Sequence, residues 1–400
     1  MRVRTCPSIA GGVVAVTVAA ALAGCSSTKT ATAAGTSSTS TSASTSASSS
    51  PQSPAPNAAS SSAVSSDPAS ATPPAPAVAS VAAVPLVVYS AQGYDSVVTK
   101  AFTTATGIPV KLDDDSTGPL LTKVAAEKNN PQWGLLWVDG DTAFAALDKQ
   151  GQLLSYAPPV PLNTVGQSLV PADHSYVPVS TTVMAAVIYN AAKAKSVPAT
   201  YQDLLSSAYR GLVGMNDPSQ SGPTYPFIAG LMNQLGGQTG GVAAGEAFLR
   251  QLKGNGLHVY PTNGDTLHAL ETGQIVYGMI QSSAAAGEVA KAPKSATFDP
   301  KVVYLPKSTL LPGVIGIDKA ASPVVQAEAE KFVQYVLSPA GQAVMQTGDP
   351  QGDSLFWPVV PGVKALPALP AFPTAYQQLD PYFWGPLENQ VNTFFDTSIK

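Results

Sequence analysis

Between residues 85 and 151 apolar positions alternate between short continuous runs and helical spacings. Leu86-Val87-Val88-Tyr89-Ser90 is a short apolar run closed by the turn residues Ala91-Gln92-Gly93, which predicts a buried strand. From Asp95 to Thr106 the apolar residues Val97, Val98, Ala101, Phe102 and Ala105 keep a helical period until Gly107 stops it. Ile108-Pro109-Val110-Lys111-Leu112 predicts a second strand, its proline at a place an edge or starting residue tolerates. Asp113 to Gly118 reads as a loop. Pro119 then stands as the first residue of a helix with Leu120, Leu121, Val124 and Ala125 on one face. Gly134 to Val138 predicts a third strand, which ends at Asp139-Gly140-Asp141 before a helix that runs to Gly151. Strand and helix in turn are the rhythm of a parallel sheet, and ligands of such sheets bind beyond the carboxyl ends of the strands. Here those ends are Ser90–Gly93, Ser116–Gly118 and Asp139–Asp141.

Tyr176 to Asn190 is a long β-branched run and predicts a strand that crosses between lobes. A helix at Tyr201–Ser207 precedes a strand, Leu212–Met215, which delivers the turn Asn216-Asp217-Pro218-Ser219-Gln220-Ser221-Gly222. One helix runs through Phe227, Ile228, Leu231 and Leu235 to Gly236-Gly237, and another covers Ala244–Leu252. Asn263 or Asp265 caps a short helix that ends at Gly273, ahead of a strand at Ile275–Ile280. Ser322-Pro323 and Ser338-Pro339 each open a helix with a capping hydroxyl and a proline, the second ending at Gly348.

The amino-terminal segment follows a different pattern. Arg2 and Arg4 precede a small-residue apolar run from Ile9 to Ala23, the layout of a secretory signal. Its end, Leu22-Ala23-Gly24-Cys25, resembles a bacterial lipoprotein lipobox, which implies a signal peptide over 1–24 and lipid on the thiol of Cys25. The other cysteine, Cys6, lies inside the expected signal, so no pair remains to oxidise. Residues 26–84 are almost entirely Ser, Thr, Ala and Pro and predict a disordered tether. As a coil that tether would reach on the order of 40 Å.

Charge sharpens the reading. Only 46 of 400 residues are charged, 12 %, where soluble domains carry about 25 %. The formal net charge of −4, without any Lys/Arg cluster, excludes a nucleic-acid binder. Residues 85–400 hold 18 Lys+Arg and 24 Asp+Glu, so the tether does not explain the deficit. Their length exceeds what one core usually grows to, and predicts two lobes.

Two segments offer matching chemistry. Ser116-Thr117-Gly118-Pro119 and Ser219-Gln220-Ser221-Gly222-Pro223-Thr224 both lie between a strand and a helix start. Each presents hydroxyls, a glycine that permits close backbone approach, and the positive end of a helix. Facing each other across a cleft, they would hold an anion without arginine; singly, each is also what an ordinary helix cap looks like. Asp113–Asp115, Asp139 and Asp141 could face a hard cation or an ammonium group, and equally read as solvated loops. His174, His258 and His268 have no metal-ligand spacing. Tyr89, Tyr225, Tyr260 and Tyr277 and the tryptophans Trp133 and Trp137 read as packing. No hydrolase elbow, Walker loop, dinucleotide fingerprint or zincin motif is present, and neither a metal nor a cofactor is expected.

The segments VVYSAQGYDSVVTKAFTTATGIPVKL, DSTGPLLTKVAAEKNNPQWGLLWV, NDPSQSGPTYPFIAGLMNQLGG, NGDTLHALETGQIVYGMI and GVIGIDKAASPVVQAEAEKFVQYVLSPAGQAVM, in this order, resemble bacterial extracellular solute-binding proteins of ABC importers. They are most similar to the branch that includes ferric-iron, 2-aminoethylphosphonate and thiamine binders. The resemblance implies a type II periplasmic-binding-protein fold: two α/β lobes joined by crossing strands, with a ligand in the cleft. Lobe one is expected at about 85–180 and 281–318, lobe two at about 181–280 and 319–400. By that pattern Ser90, Ser116, Thr117, Gly118, Asp139 and Gly140 face the cleft from lobe one, and Ser219, Ser221, Gly222 and Thr224 from lobe two. Ferric binders of this branch present adjacent tyrosines, and this chain has no Tyr-Tyr. The expectation is therefore a lipid-anchored, monomeric, non-enzymatic lipoprotein outside the cytoplasmic membrane that hands a small anionic or zwitterionic solute, phosphonate-like by preference, to an ABC permease. The alternatives are a ferric-iron or polyamine binder of the same fold, or a surface hydrolase using cleft carboxylates.

Overall fold

The computed structural model describes residues 84–183 and 186–400; the expected signal, Cys25 and nearly all of the tether lie outside the described residues. In chain order the elements are β1 (Leu86–Ser90), α1 (Asp95–Thr106), β2 (Val110–Asp114), α2 (Thr117–Ala126), β3 (Leu135–Asp139), α3 (Thr142–Lys149) and α4 (Thr164–Ser168). Then come β4 (Val177–Val183), β5 (Ala186–Asn190), β6 (Val213–Asn216), α5 (Thr224–Gly254), β7 (His258–Tyr260), α6 (Asn263–Glu271), β8 (Tyr277–Ile280), α7 (Ser282–Lys291) and β9 (Pro300–Tyr304). The chain returns through β10 (Ser308–Ile317) and finishes with α8 (Pro323–Val336), α9 (Pro339–Gly348), β11 (Trp357–Pro358), β12 (Tyr376–Gln377), α10 (Pro381–Trp384) and α11 (Glu388–Ser398).

Two sheets result. One has the order β11-β4-β10-β3-β1-β2, with β12 added to β10; the other is β7-β6-β8-β5-β9. β1, β2 and β3 run parallel, as do β6, β7 and β8, which is what the strand–helix rhythm demands. Alternation along each strand sends its side chains to opposite faces. Leu86, Val88, Leu135 and Trp137 join one core with Phe102, Phe332 and Val333, while Tyr89, Leu136 and Val138 join another with Leu120 and Phe144. The second sheet is treated likewise. Met215, Tyr277 and Met279 meet Phe227, Ile228 and Leu249 on one face, and Ile188 and Ile280 meet Leu270 and Ala285 on the other. Two passages link the sheets: β4 to β5, the long run expected to cross, and β9 to β10.

Several expectations shift by a turn or less. The second strand starts at Val110 and takes in Asp113 and Asp114, so these are strand rather than loop. The helix after it begins at Thr117, which leaves Pro119 two residues inside. The segment expected as a helix at Tyr201–Ser207 forms two 3-10 turns, Gln202–Leu205 and Ser207–Tyr209. The two helices expected on either side of Gly236-Gly237 are both present within α5, separated by a non-helical Gly237 at φ 62°, ψ −161°. Thr262, not Asn263 or Asp265, is the cap of α6, and Asp265 completes its capping box. Both Ser-Pro starts are as read: Ser322 accepts from Val325 N–H at 3.4 Å and Ser338 from Gly341 N–H at 3.0 Å.

The lobe boundaries need a larger correction. Part of 281–318, expected in lobe one, belongs to lobe two: β9 is an edge strand of the second sheet, and Ala284 and Ala285 of α7 pack with Ala186 and Ile188. Conversely α8 and α9, expected in lobe two, cover the first sheet through Phe332, Val333 and Met345. The reason is that β10 re-enters the first sheet between β3 and β4, so the chain that follows it starts on lobe one. Among the described residues no helix is long and apolar enough to cross a membrane.

Phe332 lies edge-on to Phe102 at 5.0 Å and to Trp137 at 5.8 Å, fully buried. Phe332→Ala should cost about 3–5 kcal/mol of stability in urea denaturation; a loss below about 1 kcal/mol would contradict the placement of α8 in the first core.

Candidate functional site

The carboxyl ends of the parallel strands in both sheets meet. From the first sheet come Ser90, Asp114 and Asp139; from the second come Asn216, Tyr260 and Ile280, and α2, α3, α5, α6 and α7 begin just past these ends. Several contacts tie the two edges together. Gly118 N–H donates to the Gln220 carbonyl at 3.4 Å. Gly140, at φ 95°, faces Pro226 so closely that a Cβ would stand 3.0 Å from its ring. Gln281 Nε2 donates to Asp139 Oδ2 at 3.0 Å.

The two hydroxyl-rich loops do not leave a gap between them. A Cβ on Gly118 would overlap the Ser219 carbonyl, and one on Gly222 would overlap the Thr117 side chain. Thr117, Gly118, Ser219 and Gly222 thus form a lobe–lobe contact. Ser116 occupies the cap position of α2, but its side chain makes no capping bond. Ser219 Oγ is committed to Asp396, donating at 3.0 Å to its carboxylate. Ser221 Oγ accepts from Asn216 Nδ2 at 3.2 Å. Thr224, the first residue of α5, is 1 % exposed, and its hydroxyl has no partner. A buried hydroxyl without a partner carries a desolvation cost, and this one sits where a helix end offers positive potential.

A second group of polar side chains joins Asp139 and Ser90, both expected from the sequence, to Gln92, Gln281, Ser283 and Asp353, which were not. Asp139 Oδ1 accepts from Gln92 Nε2 at 3.1 Å, and its Oδ2 from Gln281. Gln281 also reaches Asp353 Oδ1 at 3.5 Å, Ser283 Oγ donates to that same oxygen at 3.4 Å, and Gly93 N–H donates to Asp353 Oδ2 at 2.8 Å. Ser90 is fully buried, and its Oγ accepts from Gln92 N–H at 3.3 Å. Two carboxyls thus share one amide donor, and none of their partners is cationic. Burial, and then Asp353, pushes the Asp139 carboxyl up. Burial chiefly does the same to Asp353, with Asp349 adding to it and the Gly93 N–H and Ser283 opposing. The hydroxyl of Tyr94 is held well above its ordinary value by burial and then by Asp139 and Asp353. Asp141, which caps no amide with its side chain, is pushed up to about 7, chiefly by burial.

Asp113–Asp115, at the end of β2, are set apart from this network. Asp113 is ion-paired with Lys123, whose ammonium sits 4.2 Å above the Tyr89 ring, and Asp115 accepts from Ser116 N–H at 2.7 Å. Among the described residues no three His, Cys, Asp or Glu side chains gather as a metal site. Gln92 and Gln281 each follow a strand end, the signal that singled out Ser90 and Asp139. Asp353 lies in the loop after α9, with no strand or motif beside it to mark it.

The family model for bacterial extracellular solute-binding proteins matches residues 98–377. A periplasmic protein of Salmonella paratyphi A named for 2-aminoethylphosphonate binding is 26 % identical over 247 residues, 60 % of this chain and 68 % of that one. Iron-bound HitA from Pseudomonas aeruginosa shares the fold with a TM-score of 0.63 at 21 % identity, covering 78 % of this chain and 98 % of that one. AfuA from Actinobacillus pleuropneumoniae, solved with fructose-6-phosphate, does so with a TM-score of 0.63 at 18 % identity over 79 % and 98 %. The fold is thus the two-lobed one of periplasmic binding proteins.

The raised carboxyl carries a signature in stability. Asp139 titrates at about 7 in the folded protein, whereas an unfolded aspartate does so near ~4. The folded state therefore binds more protons in this window. The contribution is complete below about pH 4 and is lost as pH rises through about 7. Thermal melts should show Tm falling from pH 4 to 7, with Asp139→Asn removing part of that slope. A variant whose Tm tracks the wild type in parallel at every pH would refute the shift.

Proposed function

The chain belongs to the bacterial extracellular solute-binding proteins, and from that premise we propose that it captures a small zwitterion, phosphonate-like at one end and cationic at the other, for an ABC importer. The observation that carries this reading is the Asp139–Asp353 pair. It stands without a cationic partner at the same strand-end edge as the amino end of α5. An ammonium group beside two carboxyls is favoured by Coulomb attraction, strengthened where water is largely excluded. An anion is favoured at the amino end of a helix, and the free Thr224 hydroxyl offers it a donor. Distant similarity to a protein named for 2-aminoethylphosphonate binding supports the same ligand class.

In this reading Asp139, Gly140, Ser90, Ser221 and Thr224 face the solute, joined by Gln92, Gln281, Ser283 and Asp353. Ser116, Thr117, Gly118, Ser219 and Gly222 close the entrance around it. The amino-terminal reading completes the proposal: cleavage before Cys25, lipid on its thiol, and a tether that lets a monomeric binding domain reach its permease from the outer face of the membrane. Binding and release constitute the whole activity, and no residue is assigned a catalytic step.

Isothermal titration with 2-aminoethylphosphonate and with ethylphosphonate, which lacks the amine, tests the two ends separately. The amino compound should bind more tightly. Asp139→Asn should weaken it by at least about tenfold, since truncating one partner of a buried charge pair costs about 2–5 kcal/mol. Ethylphosphonate should be unaffected by the substitution. Equal binding of both compounds by the wild type would remove the cationic end from the proposal, and binding of neither would remove the phosphonate end.

A further inference from the structure

The carboxy-terminal segment, from Ala371 onward, reads from sequence only as helical packing. In the structure it touches both lobes. Gly385 lies against the Thr142 carbonyl, and Tyr382 Oη donates to Asp148 at 3.0 Å, both on α3 of lobe one. Val391, Phe394, Phe395 and Ile399 join the lobe-two core with Phe248, Leu249 and Leu252 of α5. Arg250 covers the Phe394 ring at 4.6 Å, and Lys253 Nζ donates to the carbonyls of Ser398 and Lys400 at 3.1 and 2.8 Å. The end of α11 is therefore a fixed platform.

From that platform two side chains grip the loop after β6. Lys400 Nζ stands 2.5 Å from both Asp217 Oδ2 and Asp396 Oδ1. Asp396 in turn receives the Ser219 hydroxyl. The loop has internal order as well. Asp217 Oδ1 accepts from Ser219 N–H at 2.9 Å, and its carbonyl accepts from Gln220 and Ser221 N–H at 3.1 and 2.8 Å. This is the loop whose Gln220 carbonyl receives Gly118 N–H from lobe one, and whose Gly222 seats the Thr117 side chain. The glycine contacts leave no slack, so a small displacement of the loop breaks the lobe–lobe contact.

We propose that Asp396 and Lys400 are positioning residues that clamp loop 217–222 at the height needed for lobe closure. The ammonium bridges two carboxylates that it also holds within reach of one another. Without it they repel, and the loop is driven off its seat. The clamp acts on lobe one through Ser219, Gln220 and Gly222.

Hydrogen exchange of the full chain, read by mass spectrometry on the lobe-one peptide 116–122, tests this without any solute. Lys400→Ala should speed exchange there by roughly two- to fivefold, the range set by a partly exposed ion pair, although residue 400 does not touch that peptide. Lys400→Arg should restore protection. Ser219→Ala, which leaves α11 intact, should act in the same direction as Lys400→Ala. About 0.5 M salt should move the wild type towards the variant, because such pairs are screened. Exchange in the α5 core should not change. Gly118→Ala serves as the reference for a broken contact. If it speeds exchange while Lys400→Ala and Ser219→Ala do not, the clamp is disproved. If Gly118→Ala has no effect either, the contact that the clamp is meant to hold is absent, and the proposal falls with it.

Discussion

Two carboxyl groups that share a single amide donor set the terms for the interior of this protein. Asp139 ends a central strand of the first sheet, and Asp353 arrives on a loop after α9. Neither has a basic partner among the described residues, so their charge is met by the dipoles of Gln92, Gln281, Ser283 and the Gly93 amide. Burying like charges side by side is unfavourable, and the response is the upward shift of both carboxyls. Gln281 follows β8 of the second sheet and Asp139 ends β3 of the first, so the arrangement joins strand ends of both sheets. In the proposed function the polar network would lie on the coordinate of lobe movement, so that solute occupancy would be coupled to shape.

At the entrance a steric rule replaces the electrostatic one. Gly118 and Gly222 sit where any Cβ would strike the opposite loop, so the helix ends of α2 and α5 approach to backbone contact. The paired motif was expected to grip an anion between its halves, but the halves grip each other. In the proposed function anion recognition falls to the inner hydroxyls: that of Thr224, buried and without a partner among the described residues, and that of Ser221, which accepts from Asn216.

What could be read from sequence follows from which forces are local. Period-two and helical patterns, Ser-Pro caps and stop glycines are decided within a few residues, so β1, β3, α1, α8 and α9 stood out directly. Ser90 and Asp139 were accessible for the same reason, since a ligand edge is defined by where strands end. Asp353 was not, because its position depends on α9 packing against α1, and nothing beside it marks the outcome. The lobe boundaries were missed on similar grounds. Only the pairing of β10 between β3 and β4 dictates that α8 and α9 cover the first sheet. Asp113–Asp115 were misleading because Lys123, ten residues on, neutralises the first of them.

The charge deficit of the sequence acquires a location. Every ion pair among the described residues lies away from Asp139 and Asp353: on α2, on α5, on α6 and α7, beside β9, and at the carboxy-terminal clamp. Cations are thus spent on holding helices and loops in place, while the strand-end edge keeps neutral donors and two carboxyls. A site with arginines would bind a bare anion tightly and have little means to ask for anything else. A site of hydroxyls, amides and a helix end holds the anion less strongly, so the far end of the solute must contribute. For the zwitterion proposed above, the scarcity of basic residues at that edge is therefore an argument for selectivity: the weaker the grip on the anionic end, the more the two carboxyls would decide which solute stays.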